Sequence, residues 1–232
     1  MLTSRSVRSL SFAVILVSAV VAFVTSCNAV SGELPNPHPR ELLVGEELLR
    51  WDFEDDVDGW APVHDCRVSA VDGSLTIQSV GGDPYLSAPA TGVGSEFVVR
   101  LRMKLKTDGI GQFFWSSTKH AGTDADRQVG FRLIHDGRWH EYLVRMQIDG
   151  DLTRLRLDPG TAAGEVQVDW ISICRGGLHP LEIVNVQQDA GAIQVRVRNH
   201  ADRAIDFECD GTAYSIAERS DLVVHVPSRG DG

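Results

Sequence analysis

The most concentrated chemistry in this 232-residue chain is acidic. Asp52, Glu54, Asp55, Asp56 and Asp58 crowd into Trp51-Asp-Phe-Glu-Asp-Asp-Val-Asp-Gly-Trp60, on the heels of an apolar run holding Leu48, Leu49, Trp51 and Phe53. Carboxylates gathered where a strand ends do one of two things. They solvate a turn, here closed by Gly59, or they offer hard oxygen ligands to a cation. Ca²⁺ takes roughly six to eight such oxygens. Residue types alone leave both readings open.

No other constellation has the spacing of a catalytic site. There is no Gly-x-Ser-x-Gly elbow, no His-Glu-x-x-His pair and no Gly-rich phosphate loop. His140 and Glu141 are neighbours on a strand-like segment, so they point to opposite faces. Paired carboxylates occur only in acid-rich turns, not in the facing arrangement of about 5–5.5 Å that a retaining glycosidase needs. Eight histidines show no close metal-ligand spacing. The chain reads as a protein that is not an enzyme.

Charge narrows the partners. Twenty-two Lys and Arg stand against 32 Asp and Glu, a net charge of −10. Loss of Arg5 and Arg8 with a cleaved leader would leave 20 basic against 32 acidic residues, or −12. That balance argues against nucleic acid as a partner, because phosphate neutralisation needs a basic surface. A polybasic hold on anionic lipid is excluded for the same reason.

Residues 1–26 read as a secretory leader. Arg5 and Arg8 precede an apolar stretch from Leu10 to Val24, which is shorter than the roughly 20 residues of a membrane span. Val24-Thr-Ser-Cys27 is similar to the lipobox of bacterial lipoproteins, with Val24 where Leu is commonest. The similarity implies lipidation of Cys27, a membrane anchor, and a place in the bacterial cell envelope. Several buried acyl chains anchor firmly, at about 0.8 kcal/mol per CH₂. Residues 27–46 follow as a tether, with Pro35, Pro37 and Pro39 making an extended spacer.

The elements that must position these residues are strands. Short apolar-polar alternations bounded by Gly, Asp or Pro predict strands over 48–54, 67–71, 74–79, 85–87, 96–105, 111–116, 128–134, 139–147, 152–157 and 166–174. Val71-Asp-Gly-Ser74 and His135-Asp-Gly-Arg138 are tight-turn sequences. No helical period exceeds two turns. Many strands without crossover helices predict an all-β antiparallel sandwich over 47–177. Phe97, Val99, Leu101, Met103 and Leu105 alternate with Arg100, Arg102, Lys104 and Lys106, so one face is apolar and the other cationic. Leu155 and Leu157 likewise oppose Arg154 and Arg156. Both basic rows read as solvated faces.

Phe53-Glu54 with Gly59-Trp60 near the start, and Val168-Asp-Trp-Ile171 near the end, resemble carbohydrate-binding modules of the galactose-binding-domain-like jelly-roll type. The resemblance covers about residues 48–176. It implies that the first and last strands are neighbours. It also implies that Glu54 and Asp169 ligate one structural calcium, with Asp52, Asp55 and Asp56 as further possible ligands. The same topology would bring Cys66 and Cys174 together in a disulfide. Cys174–Cys209 is the rival pairing, and three free thiols the remaining alternative.

A polysaccharide or glycan ligand would need flat rings to stack on apolar C–H patches and planar polar groups to bond its hydroxyls. Trp60, Tyr85 and Trp115 are the candidate rings, and Asp83 and Arg127 the leading polar companions. His64, Gln112, Lys119, His120, Asp124, Asp126 and Arg132 are further companions. The long polar loop 117–127 is a second candidate surface. Trp139, directly after an Asp-Gly turn, is expected in the core, where it resembles hairpin residues of laminin-G-like jelly rolls.

After Gly176-Gly177, residues 178–232 read as a small β-rich C-terminal unit. Strands are expected over 181–187, 192–198, 204–208 and 222–226, with a disordered end. The resulting expectation is a non-catalytic, membrane-anchored, carbohydrate-binding-like lipoprotein. The alternative is a structural or protein-interaction envelope lipoprotein with no sugar ligand.

Overall fold

The computed structural model describes residues 33–34, 40–90, 92–189 and 192–227. The leader and Cys27 lie outside the described residues, as do 35–39 of the tether and the last five residues. Every regular element among the described residues is a β-strand. The chain divides into two units: Leu42–Gly177, and Leu178 onward together with the segment before Leu42.

The first strand, β1 (Glu33–Leu34), belongs to the second unit. The larger unit holds β2 (Leu42–Trp51), β3 (Ala61–His64), β4 (Cys66–Val71), β5 (Ser74–Ser79), β6 (Tyr85–Pro89) and β7 (Glu96–Leu105). It continues with β8 (Ile110–Ser117), β9 (Gln128–Arg132), β10 (His140–Gln147), β11 (Leu152–Asp158) and β12 (Gly164–Leu178). Here β2 begins at Leu42 rather than at 48. The half-buried Leu42-Leu-Val44 run is strand, not tether.

Two sheets form. One has the order β10-β7-β12-β5-β4, with β2 also on β12. The other has the order β3-β6-β11-β8-β9. Strand β7 pairs β12 antiparallel from Val166 to Arg175, and β5 pairs only Gly164–Val168. A strand has two edges, so β2 follows β5 along the second edge of β12. A Cβ on Gly45 would lie 3.1 Å from the Arg175 carbonyl, and one on Gly176 only 2.3 Å from the Leu43 carbonyl. Glycine is required at 176 for that approach. The expected adjacency of first and last strands is therefore present.

Alternation builds the core as expected. Phe97, Val99, Leu101 and Met103 on β7 are fully buried, with Leu75, Ile77, Ile171 and Ile173 beside them in the same sheet. Leu86, Ala88, Phe113, Leu155 and Leu157 fill the inner face of the five-stranded sheet. This is an antiparallel sandwich closed by side chains from both inner faces.

The second unit contains β13 (Leu181–Asp189), β14 (Ala192–Asn199), β15 (Ile205–Cys209), β16 (Thr212–Ile216) and β17 (Asp221–Pro227). Its sheet has the order β1-β13-β14-β17, and β15-β16 is a separate hairpin. Ile193, Val195, Val224 and Ile216 lie in its core.

Candidate functional site

Because Leu86, Ala88, Leu155, Leu157 and Phe113 point inward, their chain neighbours Tyr85, Ser87, Arg156, Asp158, Gln112 and Phe114 point outward. Cross-strand register then sets them side by side. Arg156 lies opposite Ser87 on β6 and Phe114 on β8. The guanidinium carbon of Arg156 sits 3.5 Å from the Tyr85 ring centroid and 4.3 Å from that of Phe114. A cation between two rings gains about 0.5–2 kcal/mol at each face, depending on how far it is desolvated.

Arg156 is also held from the side. Its Nε donates to Asp158 Oδ1 at 2.7 Å and its Nη2 to Oδ2 at 2.6 Å, a bidentate fork. The Asp83 carboxylate lies 4.0 Å from Nη2. Asp158 is buried, and burial pushes its carboxyl above the ordinary carboxylate value despite the guanidinium beside it. At the sheet edge the His64 ring stacks on Tyr85, with centroids 5.4 Å apart and planes 13° apart. His64 Nδ1 is 2.9 Å from the Asp83 carbonyl oxygen, which raises the imidazole pKa above 6.5.

The result is one row of planar groups, His64, Tyr85, Arg156 and Phe114, crossing β3, β6, β11 and β8. Gln112 bonds Gln128 beyond it, and Arg154 donates to Ser87 Oγ at 3.2 Å. The row offers aromatic edges together with amide, carboxylate and guanidinium groups. These are the groups that bond hydroxyls while resting against C–H surface.

The structure sorts the residues nominated from sequence. Tyr85 and Asp83 lie on this face. Trp60 does not: it is 1% exposed, packed edge-on against Trp51 at 5.4 Å, and has no ring face for a ligand. Trp115 points inward and packs against the core. Arg127 closes its own loop, bonding the Asp124 carboxylate and the Gly122 carbonyl. Trp139, expected in the core, is half-buried on the outer face of the other sheet, beneath Arg102 and Lys104. Arg156 and its pairing with Phe114 are the parts that sequence reasoning missed. Only the strand register reveals them.

The acids are placed differently from expectation. Asp58 Oδ2 accepts from the backbone N–H of Asp52 and Phe53, and Asp56 Oδ1 from that of Asp58. These carboxylates organise their own turn, in which Phe53 takes φ 59°. Asp169 Oδ2 accepts from Arg102 Nη1 at 2.5 Å. Among the described residues no group of three or more His, Cys, Asp or Glu is placed to hold a metal ion.

The Cys66–Cys174 bridge is absent, and so is Cys174–Cys209, because Cys66, Cys174 and Cys209 are all free thiols. The reason is register. Cys66 lies opposite Ser79 on β5, and Ser79 lies opposite Gly164 on β12, ten residues from Cys174. Two strand spacings of about 4.8 Å already exceed the roughly 7 Å Cα limit of a disulfide.

No protein-family model matches the chain, and no curated protein sequence matches it either. Solved structures with a similar fold include carbohydrate-binding modules. One is the second N-terminal cellulose-binding domain of Cellulomonas fimi β-1,4-glucanase C, at 20% identity and TM-score 0.43, covering 56% of this chain and 94% of that one. Another is the C-terminal module of a marine laminarinase from Zobellia galactanivorans, at 14% identity and TM-score 0.38, covering 55% and 98%. A third is a module of Cellvibrio mixtus lichenase 5A in complex with cellotriose, at 10% identity and TM-score 0.37, covering 56% and 98%.

Proposed function

We propose that this protein is a non-catalytic carbohydrate-binding lipoprotein of the bacterial envelope. Its glycan lies across the outer face of the five-stranded sheet, and acyl chains on Cys27 hold the protein at a membrane. The observation that carries the reading is the row His64-Tyr85-Arg156-Phe114. Four adjacent strands span about 14 Å at 4.7–4.9 Å per step. That breadth suits a polysaccharide segment better than a single sugar. Arg156 is fixed before any ligand arrives, so ordering it costs little on binding. A calcium site at Glu54, Asp56 and Asp169 is not part of this reading, since Arg102 holds Asp169.

A glycan array with the purified protein tests it. Retention of a neutral polysaccharide is expected, with at least tenfold weaker binding by Phe114→Ala. No retained glycan, together with a specific protein recovered by pull-down, would favour the structural or protein-interaction alternative. Mass spectrometry of the mature N-terminus should find Cys27 carrying acyl chains; an unmodified Cys27 would remove the anchor.

A further inference from the structure

The six-stranded sheet carries a second ordered array on its outer face. Trp170 of β12 is flanked by Arg50 from β2 and Arg100 from β7, with guanidinium carbons 5.2 and 5.4 Å from the ring centroid. Farther along β7, Arg102 and Lys104 sit 5.1 and 4.7 Å from the ring centroid of Trp139. A β-bulge makes this possible. The β12–β7 register shifts between Val168 and Trp170, so Asp169 and Trp170 both face outward opposite Arg102. Three acids touch the array, among them Glu141 at 3.6 Å from Arg100 and Asp169 at 2.5 Å from Arg102. Glu47 lies 3.4 Å from Arg50.

The array runs into a cleft of about 440 Å³ lined by Lys104, Lys106, Gly137, Gly164, Glu165 and Gln167. A Cβ on Gly137 would lie 2.4 Å from Lys106 Cε, so the lysine stem rests on that glycine. Among the described residues neither Lys104 nor Lys106 has an ion-pair partner. Glu165 is instead bonded by Gln167 Nε2 at 2.7 Å. Outward residues on β7 repeat about every 6.8 Å, so Arg100, Arg102, Lys104 and Lys106 stand in one line, the two arginines each met by an acid and the two lysines supplying its net positive charge.

We propose that this face binds an acidic polysaccharide, a chain with a carboxylate on most of its sugars. Each guanidinium stacked on an indole is held in place by one acid of the chain and keeps further N–H donors for a planar carboxylate of the polymer. The two unpaired lysines at the cleft hold the next carboxylates as point charges. The site does not rest on the five-stranded face, which carries a different row.

Purified protein is titrated with polygalacturonate, with its fully methyl-esterified form, and with phosphatidylserine and phosphatidylcholine vesicles. Polygalacturonate should bind at low salt and weaken at least tenfold in about 0.5 M NaCl, where screening is nearly complete beyond a few ångströms. The ester should bind at least tenfold more weakly, and phosphatidylserine vesicles should retain no more protein than phosphatidylcholine vesicles, which acyl chains on Cys27 enter equally. The double variant Lys104→Gln/Lys106→Gln, at a half-buried lysine over Trp139 and an exposed one, should weaken binding at least fivefold without lowering the melting temperature, and Phe114→Ala should leave it unchanged. No binding at low salt, equal binding of the ester, preference for phosphatidylserine over phosphatidylcholine vesicles, or an unaffected double variant would each overturn the proposal. Loss of acidic-glycan binding in Phe114→Ala alone would also overturn it, by moving that ligand to the other face.

Discussion

Arg156 holds the five-stranded face together, because it is stacked on two rings and forked onto Asp158 at once. Its replacement by lysine keeps the charge but loses the planar fork. Arg156→Lys should weaken glycan binding at least tenfold. Arg156→Ala should lower stability by about 3 kcal/mol, because it leaves a buried carboxylate without its partner. Denaturant unfolding measures the second effect, and a loss below about 1 kcal/mol would contradict it. His64 gives a pH signature. Its raised pKa contributes stability that is complete below 6.5 and is lost as pH rises through the raised value. An NMR titration should place its midpoint above 6.5, and a midpoint at or below 6.5 would refute the bond to the Asp83 carbonyl. Asp83 and Tyr85 were legible in the sequence, as a polar and an aromatic residue around the Gly81-Gly82-Asp83-Pro84 turn. Arg156 was not. Its Arg-Leu alternation looks like any solvated strand face until the opposing strand is known.

At the scale of elements, alternation was a faithful guide wherever a strand buries one face. It located β5, β7 and β11 closely. It missed β3, whose four residues are all exposed and include Pro62, a residue tolerated on an edge strand. It also missed β16, where only Ile216 is buried. The bulge at Asp169 left no mark in Val-Asp-Trp-Ile. Unbroken alternation from Val166 and Val168 would have sent Trp170 into the core. Trp139 was misjudged because an indole after a tight turn is apolar enough for either side, and stacked cations shelter it outside. Close packing makes Gly111 a sharp probe. A Cβ there would lie 2.4 Å from the Phe131 ring, which stacks on Phe113 at 5.4 Å. Gly111→Ala should cost about 1–3 kcal/mol by overpacking, and an unchanged melting temperature would refute that contact.

For the whole molecule, the sequence pattern changes after Gly176-Gly177, and the two units divide at Gly177. The state of the cysteines was left open between two bridges and three free thiols, since pairing depends on which strand lies between them. Native protein should react with a thiol reagent first at half-buried Cys66, and slowly, because burial raises its thiol pKa. Cys174 and Cys209 should react only after unfolding, and a disulfide found by peptide mapping would contradict the free thiols. In the second unit Asn199 is buried at a corner. Its Nδ2 donates to the carbonyls of Arg203, Ile216 and Ala217, and its Oδ1 accepts from Ala201 N–H. Asn199→Ala should therefore destabilise that unit by about 1–3 kcal/mol in a thermal melt.

The most direct measurement follows the NMR signals of the purified protein as a retained neutral polysaccharide is added. The Arg156 Nε–H and the ring protons of Tyr85 and Phe114 should shift together and saturate at one ligand concentration. Shifts confined to loop 117–127 or to the six-stranded sheet, with those three side chains unmoved, would contradict the assignment of the glycan to the His64-Tyr85-Arg156-Phe114 row.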